Sequence, residues 1–511
     1  MQKRVLMNII IPWNQDYEEY LHDESRRIGR ADSISFPTSE DQVIQVINEV
    51  RANAGGITTQ GGRTGIVAGA VPDGGHVMNL SRMKTTGPIY EDSVSGEHRM
   101  RVQPGVLLSE IREAISGSNL FFPPDPTETS ASIGGMTACN ASGAMSFHYG
   151  PTRNWVESVR MVLGDGSVIA LKRGQAKAQG RSFALFTENG REINGNLPSY
   201  VMPGVKAAAG YYAADDMDML DLLIGMEGTL GIITEIELKL IPKPQAIAGL
   251  MVFLPNEEAA LQFVRAARGE AVKGLDSLQT RPAAIEYFNS NALNLLRDMK
   301  SMNSAFQKIP ALKPHYHTAV YIEYHADSDD ELEEPVMQVM ETIFALDGSD
   351  EDTWYATTER ELEPLKAFRH ATPEAVNLLI DQRKRECKEL TKLGTDMSVP
   401  DEYLEPVIAM YDQGLKEQGL ESVMFGHIGN NHVHVNILPH NMEEYSHGKS
   451  LYLKWAEKIV AQGGCVSAEH GIGKIKTSFL KMMYGEEGIE QMRALKTLFD
   501  PDILLNPGDL F

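Results

Sequence analysis

Gln60-Gly61-Gly62-Arg63-Thr64-Gly65 directly follows the strand-like run Ile57-Thr58-Thr59, so a strand hands over to a glycine-dense loop. Glycines there let backbone amides approach a ligand closely, and successive amides can cradle a pyrophosphate. The spacing is neither G-x-G-x-x-G nor G-x-x-x-x-G-K-[ST], which removes the Rossmann and P-loop readings. Alone, the loop reads as an ordinary connection. Three further segments change its weight. Pro123-Pro124-Asp125-Pro126 precedes Ser132-Ile133-Gly134-Gly135, and Asn140-Ala141-Ser142-Gly143 leads to Tyr149-Gly150. Much later comes Glu227-Gly228-Thr229-Leu230-Gly231-Ile232-Ile233.

Outward from these motifs the patterning is that of an α+β chain. Ser33-Ile34-Ser35-Phe36-Pro37 reads as a strand, and Ser39-Glu40-Asp41 opens a helix with Val43, Val46, Ile47 and Val50 at helical spacing. Val156 to Leu163 and Val168 to Leu171 flank Gly164-Asp165-Gly166, a hairpin signal. A polar insertion with few apolar runs follows over about 173–215, then an alternating strand from Glu235 to Leu240. Pro242 and Pro244 mark a domain boundary. Beyond it, strands at 247–254, 285–288 and 319–324 alternate with helices at 257–267 and 330–345, predicting an antiparallel sheet covered by helices. Residues 1–30 read as an acidic, helical lead-in.

Length and charge bound the function. A chain of 511 residues exceeds one hydrophobic core and predicts two or three domains. The net charge of −23 argues against nucleic acid and gives no polybasic handle for anionic lipid. Cys139, Cys387 and Cys465 are far apart, so no disulfide framework or iron–sulfur motif is read. The apolar run before Pro12 is too short for a signal peptide, and no segment approaches a membrane span, so a cytoplasmic location is expected.

The order of the glycine motifs resembles the flavin-binding domain of the vanillyl-alcohol-oxidase type over roughly residues 26–243. The resemblance implies FAD held by two α+β subdomains. It implies cofactor contacts from Gln60, Gly61, Gly62, Arg63, Thr64 and Gly65, and from Pro124, Asp125, Ser132, Ile133, Gly134 and Gly135. It adds Asn140, Gly143, Tyr149, Gly150, Glu227, Gly228, Gly231, Ile232 and Ile233, with Asn506 in a C-terminal tail that returns to the flavin. Arg63 departs from the small or polar residue of many relatives. His76, Cys139 and His148 sit in no attachment motif, so non-covalent FAD is expected.

Near the C-terminus stand Gly426-His427-Ile428-Gly429-Asn430-Asn431-His432-Val433-His434-Val435-Asn436 and Ser467-Ala468-Glu469-His470-Gly471. Alternation from His432 puts the histidines and Asn436 on one face, and Gly429-Asn430-Asn431 is turn chemistry that would fold His427 back toward His434. A single histidine there would read as a cap on a polar sheet face. With Glu469 after the buried-looking strand end Cys465-Val466-Ser467-Ala468, the set suits a catalytic Zn²⁺ or another divalent first-row metal. His470, beside Glu469, is left free as a base.

These clusters resemble the GHxGDGNxHxN and SAEHGIG signatures of the FAD-linked D-2-hydroxyacid dehydrogenases. With the flavin half, the similarity covers most of the chain. It implies His427, His434 and Glu469 as metal ligands, His470 as catalytic base, and Asn436 and Arg369 as substrate-orienting residues. Asn430-Asn431-His432 replaces the usual Asp-Gly-Asn, and His432 reads as the substitute for a loop hydrogen bond. Relatives acting on dicarboxylates tend to carry Lys where Thr395 stands, which tilts the substrate toward D-lactate, though Lys392 lies close in sequence. The implied division is a lead-in at 1–29, an FAD-binding domain at 30–243, a substrate and metal domain at 244–499, and a tail at 500–511. The electron acceptor, a protein or quinone, is not legible, nor is the oligomeric state. An oxygen-using oxidase of the same fold and a non-catalytic relay subunit remain the rival readings.

Overall fold

A computed structural model of the chain describes residues 9–511. The first eight residues of the expected lead-in lie outside that range. Within it, Ile11–Pro12 is a short strand and Gln15–Leu21 a 3-10 helix, capped where the Asn14 side chain accepts from the Asp16 amide. A proline followed by an Asx cap stops a longer α-helix from forming there.

Three layers build the N-terminal half. A four-stranded sheet runs in the order Ile11–Pro12, Ser33–Ser35, His76–Asn79, Ile57–Gln60, its last three strands parallel. Helix Glu40–Ala52 covers it with Val43, Val46, Ile47 and Val50, all buried. A larger antiparallel sheet follows, in the order Thr86–Glu91, His98–Val102, Ile232–Pro242, Val156–Val162, Val168–Lys172. The expected hairpin is its outer pair. Helix Leu108–Ile115 packs Leu108, Ile111 and Ile115 into the same core.

The polar insertion holds an antiparallel pair, Ser182–Phe186 with Glu192–Asn196. Phe183, Leu185 and Ile193 point into the main core while the alternate residues are exposed. The strands are short and half polar, which hides them from a hydropathy reading.

Ala246–Leu254 begins a seven-stranded antiparallel sheet, ordered Trp354–Ala356, Ala246–Leu254, Thr318–Ala326, Ala284–Phe288, Ser422–Gly426, His434–Ile437, Leu393–Gly394. Helices cover both faces. Glu257–Ala267, Asp330–Ala345, Leu404–Gln418 and Met442–Ala461 meet Leu250, Val252, Tyr287 and Val320. Ser290–Met302 and Glu359–Arg383 meet Met251, Phe253, Phe288 and Ala319. Burial on both sides explains why these strands are near-continuous apolar runs.

The chain then returns. Helix Thr477–Phe499 sets Leu480, Met492, Leu495 and Phe499 in the core of the N-terminal half. Leu505 pairs in parallel with Ile57, beside the four-stranded sheet. Among the described residues, no helix is long and apolar enough to cross a membrane.

Candidate active site

The strands Ser422–Gly426 and His434–Ile437 pair antiparallel, with Phe425 opposite His434, so the turn between them folds His427 back over His434. Gly426 sits at φ 135°, and a Cβ there would lie 2.8 Å from the His434 ring, so the turn requires glycine. Asn431 closes the turn in the left-handed region at φ 52°. His427, His432, His434 and Glu469 each present one donor atom, and these atoms lie within 4.8 Å of one another.

Each imidazole engages one nitrogen outward and turns the other toward one oxygen, Glu469 Oε2. His427 Nδ1 lies 2.6 Å from Glu286 Oε1, and its Nε2 is 3.2 Å from Glu469 Oε2. His434 Nδ1 is 2.8 Å from the Thr395 carbonyl, with Nε2 3.9 Å from that oxygen. His432 is reversed: Nε2 lies 2.9 Å from Asp396 Oδ1, and Nδ1 is 3.9 Å from Glu469 Oε2. The expected loop hydrogen bond accounts for Nε2, which meets Asp396, and leaves Nδ1 without a partner in the protein. The His432 ring is fully buried beside His427, His434 and Glu469. Turn residues Gly429-Asn430-Asn431 bring it inward rather than leaving it on the loop.

Charge follows this layout. Burial disfavours the ionised Glu469 carboxylate, but Lys206 and His427 outweigh it and hold its pKa well below the usual range. Burial lowers the His432 pKa to about 4 and holds His434 well below its ordinary value, its imidazole neighbours adding to the effect. At His427 burial acts the same way, but Glu286 and Glu469 overcome it and lift the pKa to about 9. Two neutral imidazoles and an ionised carboxylate are the states a divalent cation needs, and its charge would discharge the proton on His427.

Asp396 joins this group to His470. Its carboxylate accepts from the backbone amides of Glu469 and His470, both at 3.1 Å, and from Ser467 Oγ and Lys476 Nζ at 2.9 and 2.7 Å. His470 Nδ1 stands 3.1 Å from Asp396 Oδ2, which orients the ring and leaves Nε2 as the free nitrogen. That ring stacks near-parallel on His434, centroids 5.5 Å apart. Asn436 lies two residues beyond His434 on the same strand face and is buried.

Arg369 lies on helix Glu359–Arg383, its guanidinium 5.2 Å from the centre of the Tyr321 ring. Its Nε is buried without a hydrogen-bond partner. Burial works against its charge, but Glu286, Tyr321, Asp125 and Glu323 raise its pKa. The guanidinium is therefore a fixed cation, and Glu286, which bonds His427, also interacts with its charge.

The glycine motifs meet in space. A single oxygen, Ser132 Oγ, accepts from the Gly62 and Gly135 amides at 3.2 and 3.3 Å. A Cβ on Gly61 would strike Ser132 Oγ at 2.1 Å, and one on Gly134 would strike Pro104 at 2.5 Å. Gly62 and Gly65 stay exposed along the open side. With the Gly62 and Gly135 amides taken by Ser132, it is the open loop at Gly65, with nothing within 4 Å of a Cβ there, that leaves room for a pyrophosphate. Ile133 is buried in the core at the start of the short helix Ile133–Cys139.

The other residues expected to contact the cofactor make local contacts around these glycines or in the core. Gln60 donates its amide to Tyr20 and Ala70 carbonyls, and Arg63 stacks on Tyr20 and pairs with Glu19, away from the glycines. Thr64 is half-buried in the loop and Pro124 is buried behind it. Asp125 takes the Arg112 guanidinium at 2.6 Å, and Gly143 lies so close that a Cβ would sit 1.8 Å from the Asp125 carbonyl oxygen. Asn140 caps its helix at φ 49° and accepts from the Arg153 amide, Tyr149 bonds His325, and Gly150 has φ 76°. Gly231 packs on Met161, and the Ile232 and Ile233 side chains are core.

Glu227 points its carboxylate at the Ile472 and Gly473 amides, at 2.9 and 2.7 Å, which ties this motif to the Ser467–Gly471 loop. Asn506 spans the Thr59 amide and the Glu227 carbonyl, both at 2.8 Å, and closes on Gly228. His76 and the cysteines are placed structurally: Ser33 and Ser35 hold both His76 nitrogens, and burial pushes the Cys139 thiol up.

Sequence reasoning missed Asp396, Glu286, Lys206 and Ser142. Lys206, from the polar insertion, lies 3.3 Å from Glu469 Oε1, and Ser142, inside a glycine motif, donates to the same oxygen at 3.1 Å. Asp396 alone left a trace, as a lone carboxylate between Thr395 and the apolar Met397 and Val399.

Comparison with known proteins identifies the family. Residues 31–172 match the family described as FAD binding domain, and residues 243–510 match FAD linked oxidases, C-terminal domain. A D-lactate dehydrogenase of Anaerostipes hadrus is 28% identical, covering 99% of this chain and 94% of its own. A D-2-hydroxyglutarate dehydrogenase of Xanthomonas citri pv. viticola is 29% identical, covering 97% and 93%. Among solved structures, an alkyldihydroxyacetonephosphate synthase superposes with a TM-score of 0.66 at 15% identity, over 99% of this chain and 83% of that one, a likeness of fold. The chain belongs to the FAD-linked oxidases, in the family of FAD-linked D-2-hydroxyacid dehydrogenases.

Proposed function

We propose that the protein oxidises D-lactate to the 2-oxo acid and passes the electrons to a protein or quinone acceptor. The observation that carries this reading is the Asp396-oriented His470 stacked on His434, a base held beside a cation-ready donor set. Bound FAD supplies the hydride acceptor, and a divalent metal, Zn²⁺ by its donor set, supplies a Lewis acid. His427, His434 and Glu469 would hold the metal, and the Gly61–Gly65 loop, backed by Ser132 and Gly134–Gly135, would hold the pyrophosphate.

Arg369 grips the substrate carboxylate, since its planar fork has no protein hydrogen bond at Nε and a fixed positive charge. His470 Nε2 takes the C2 hydroxyl proton, while Asp396 stabilises the imidazolium that forms. Asn436 orients the hydroxyl from the strand face it shares with His434. Lys206 and Ser142 hold Glu469 in place. A small monocarboxylate is favoured because Thr395 is buried and accepts from the Val435 amide, so no cation stands there for a second carboxylate.

The test is an anaerobic screen of flavin bleaching with D- and L-lactate, D-2-hydroxyglutarate and glycolate, before and after treatment with EDTA. D-lactate is expected to bleach fastest and only without chelator. Faster bleaching by D-2-hydroxyglutarate removes the substrate assignment, and bleaching unaffected by complete metal removal removes the metal.

A further inference from the structure

His432 is a departure of this chain from its family's pattern, and its surroundings give it a role. A buried core histidine normally completes hydrogen bonds at both nitrogens, and leaving them unmade costs about 1–3 kcal/mol. Here the ring is fully buried, Nε2 faces Asp396 Oδ1 at 2.9 Å, and Nδ1 has no hydrogen-bond partner in the protein. It nevertheless obeys the same layout as the other two imidazoles, with one nitrogen facing a carboxylate behind it and the other facing Glu469 Oε2. Asp396 stands behind His432 as Glu286 stands behind His427, the arrangement in which an outer carboxylate fixes the tautomer of a ligating imidazole. The four donor atoms lie within 4.8 Å of one another, and ligands about 2.0–2.2 Å from a tetrahedral Zn²⁺ stand roughly 3.3–3.6 Å apart.

We propose that His432 Nδ1 is a third imidazole ligand, so that this protein holds its metal with three histidines and one carboxylate. The proposal rests on the metal reading above and deepens it. The chemistry has two consequences. A third neutral nitrogen favours Zn²⁺ and Co²⁺ over the oxygen-preferring Mn²⁺ and Mg²⁺. Four protein donors also fill a tetrahedron, so a substrate oxygen joins only by raising the coordination number. Asp396 then serves both sides of the site, with Oδ1 behind the metal ligand and Oδ2 behind the base.

Two measurements on the flavin-loaded protein test this without an activity assay. Zinc X-ray absorption on the wild type counts imidazoles directly, and three are expected. Chelator competition and the visible spectrum of the Co²⁺-loaded protein compare wild type with His432→Asn, the residue the family pattern carries there. His432→Asn is expected to lose at least about a hundredfold in Zn²⁺ affinity, more than an outer-shell change costs, and to shift and weaken the Co²⁺ bands. Two imidazoles by X-ray absorption, or equal affinity with an unchanged Co²⁺ spectrum, overturns the assignment of His432 while leaving the metal reading intact. A wild type that binds no stoichiometric metal, with His434→Asn indistinguishable from it, overturns both. The wild-type absorption measurement holds even where the variant fails to fold.

Discussion

The two halves of the site are made of different material. The glycine cradle is backbone: Gly61, Gly62, Gly134 and Gly143 are needed because a Cβ at each would strike a neighbour at 1.8–2.8 Å. The histidine cluster is side chain, and its properties come from partners behind it, Glu286, Thr395 and Asp396. A backbone site fails by losing shape. A side-chain site fails by losing a charge or a proton while the fold stands. Variants in the two regions should therefore break the protein in opposite ways.

The largest effect is expected on the side-chain side. His470→Ala should slow anaerobic flavin reduction by about 10²–10⁴-fold with flavin and metal content unchanged, the range for losing a general base. Stopped-flow reduction at wild-type speed would remove His470 from that role. On the backbone side, Gly143→Ala forces a Cβ into the Asp125 carbonyl, and overpacking of this kind costs about 1–3 kcal/mol or more. The expected result is a lower melting temperature and loss of FAD on gel filtration, with wild-type turnover in whatever holoenzyme survives. Full flavin content with slow chemistry would invert the comparison.

The smallest effect is one of pH. Burial lowers the His76 pKa to about 4, from an unfolded value near 6.5. The folded form resists the proton, so this contribution is fully present above about pH 6.5 and is lost as pH falls toward 4, up to about 3 kcal/mol. Melting temperature should fall across that window in the wild type and less steeply in His76→Gln. Parallel curves would place the acid sensitivity elsewhere.

The contrast also governs what the sequence discloses. Glycine spacing is visible in one dimension, as is the alternation that sets His434 beside Asn436. The helices Glu257–Ala267 and Asp330–Ala345 announce themselves by periodicity, and the first even by its Asn256 cap. Thr86–Glu91 does not, because Gly87 and Pro88 interrupt it, and Pro364 and Pro373 obscure the length of helix Glu359–Arg383. Lys206 and Glu286 look like solvated charges until the fold buries them against Glu469 and His427. Their role is a property of contacts between residues far apart in the chain, which no local pattern records. His432 was visible as an anomaly, but only the ring geometry gives the anomaly a direction.

The Asn506 clasp has a consequence for how the protein is made. Its amide bonds Thr59, 447 residues earlier, while Leu504 and Leu505 complete the core under the four-stranded sheet. At about 5–20 residues per second, the ribosome needs roughly 20–90 s to cover that distance. For that interval the nascent sheet has an open edge at Ile57, and the core it shares with helix Glu40–Ala52 lacks Leu504 and Leu505. The FAD-binding half, first to emerge, is thus last to close.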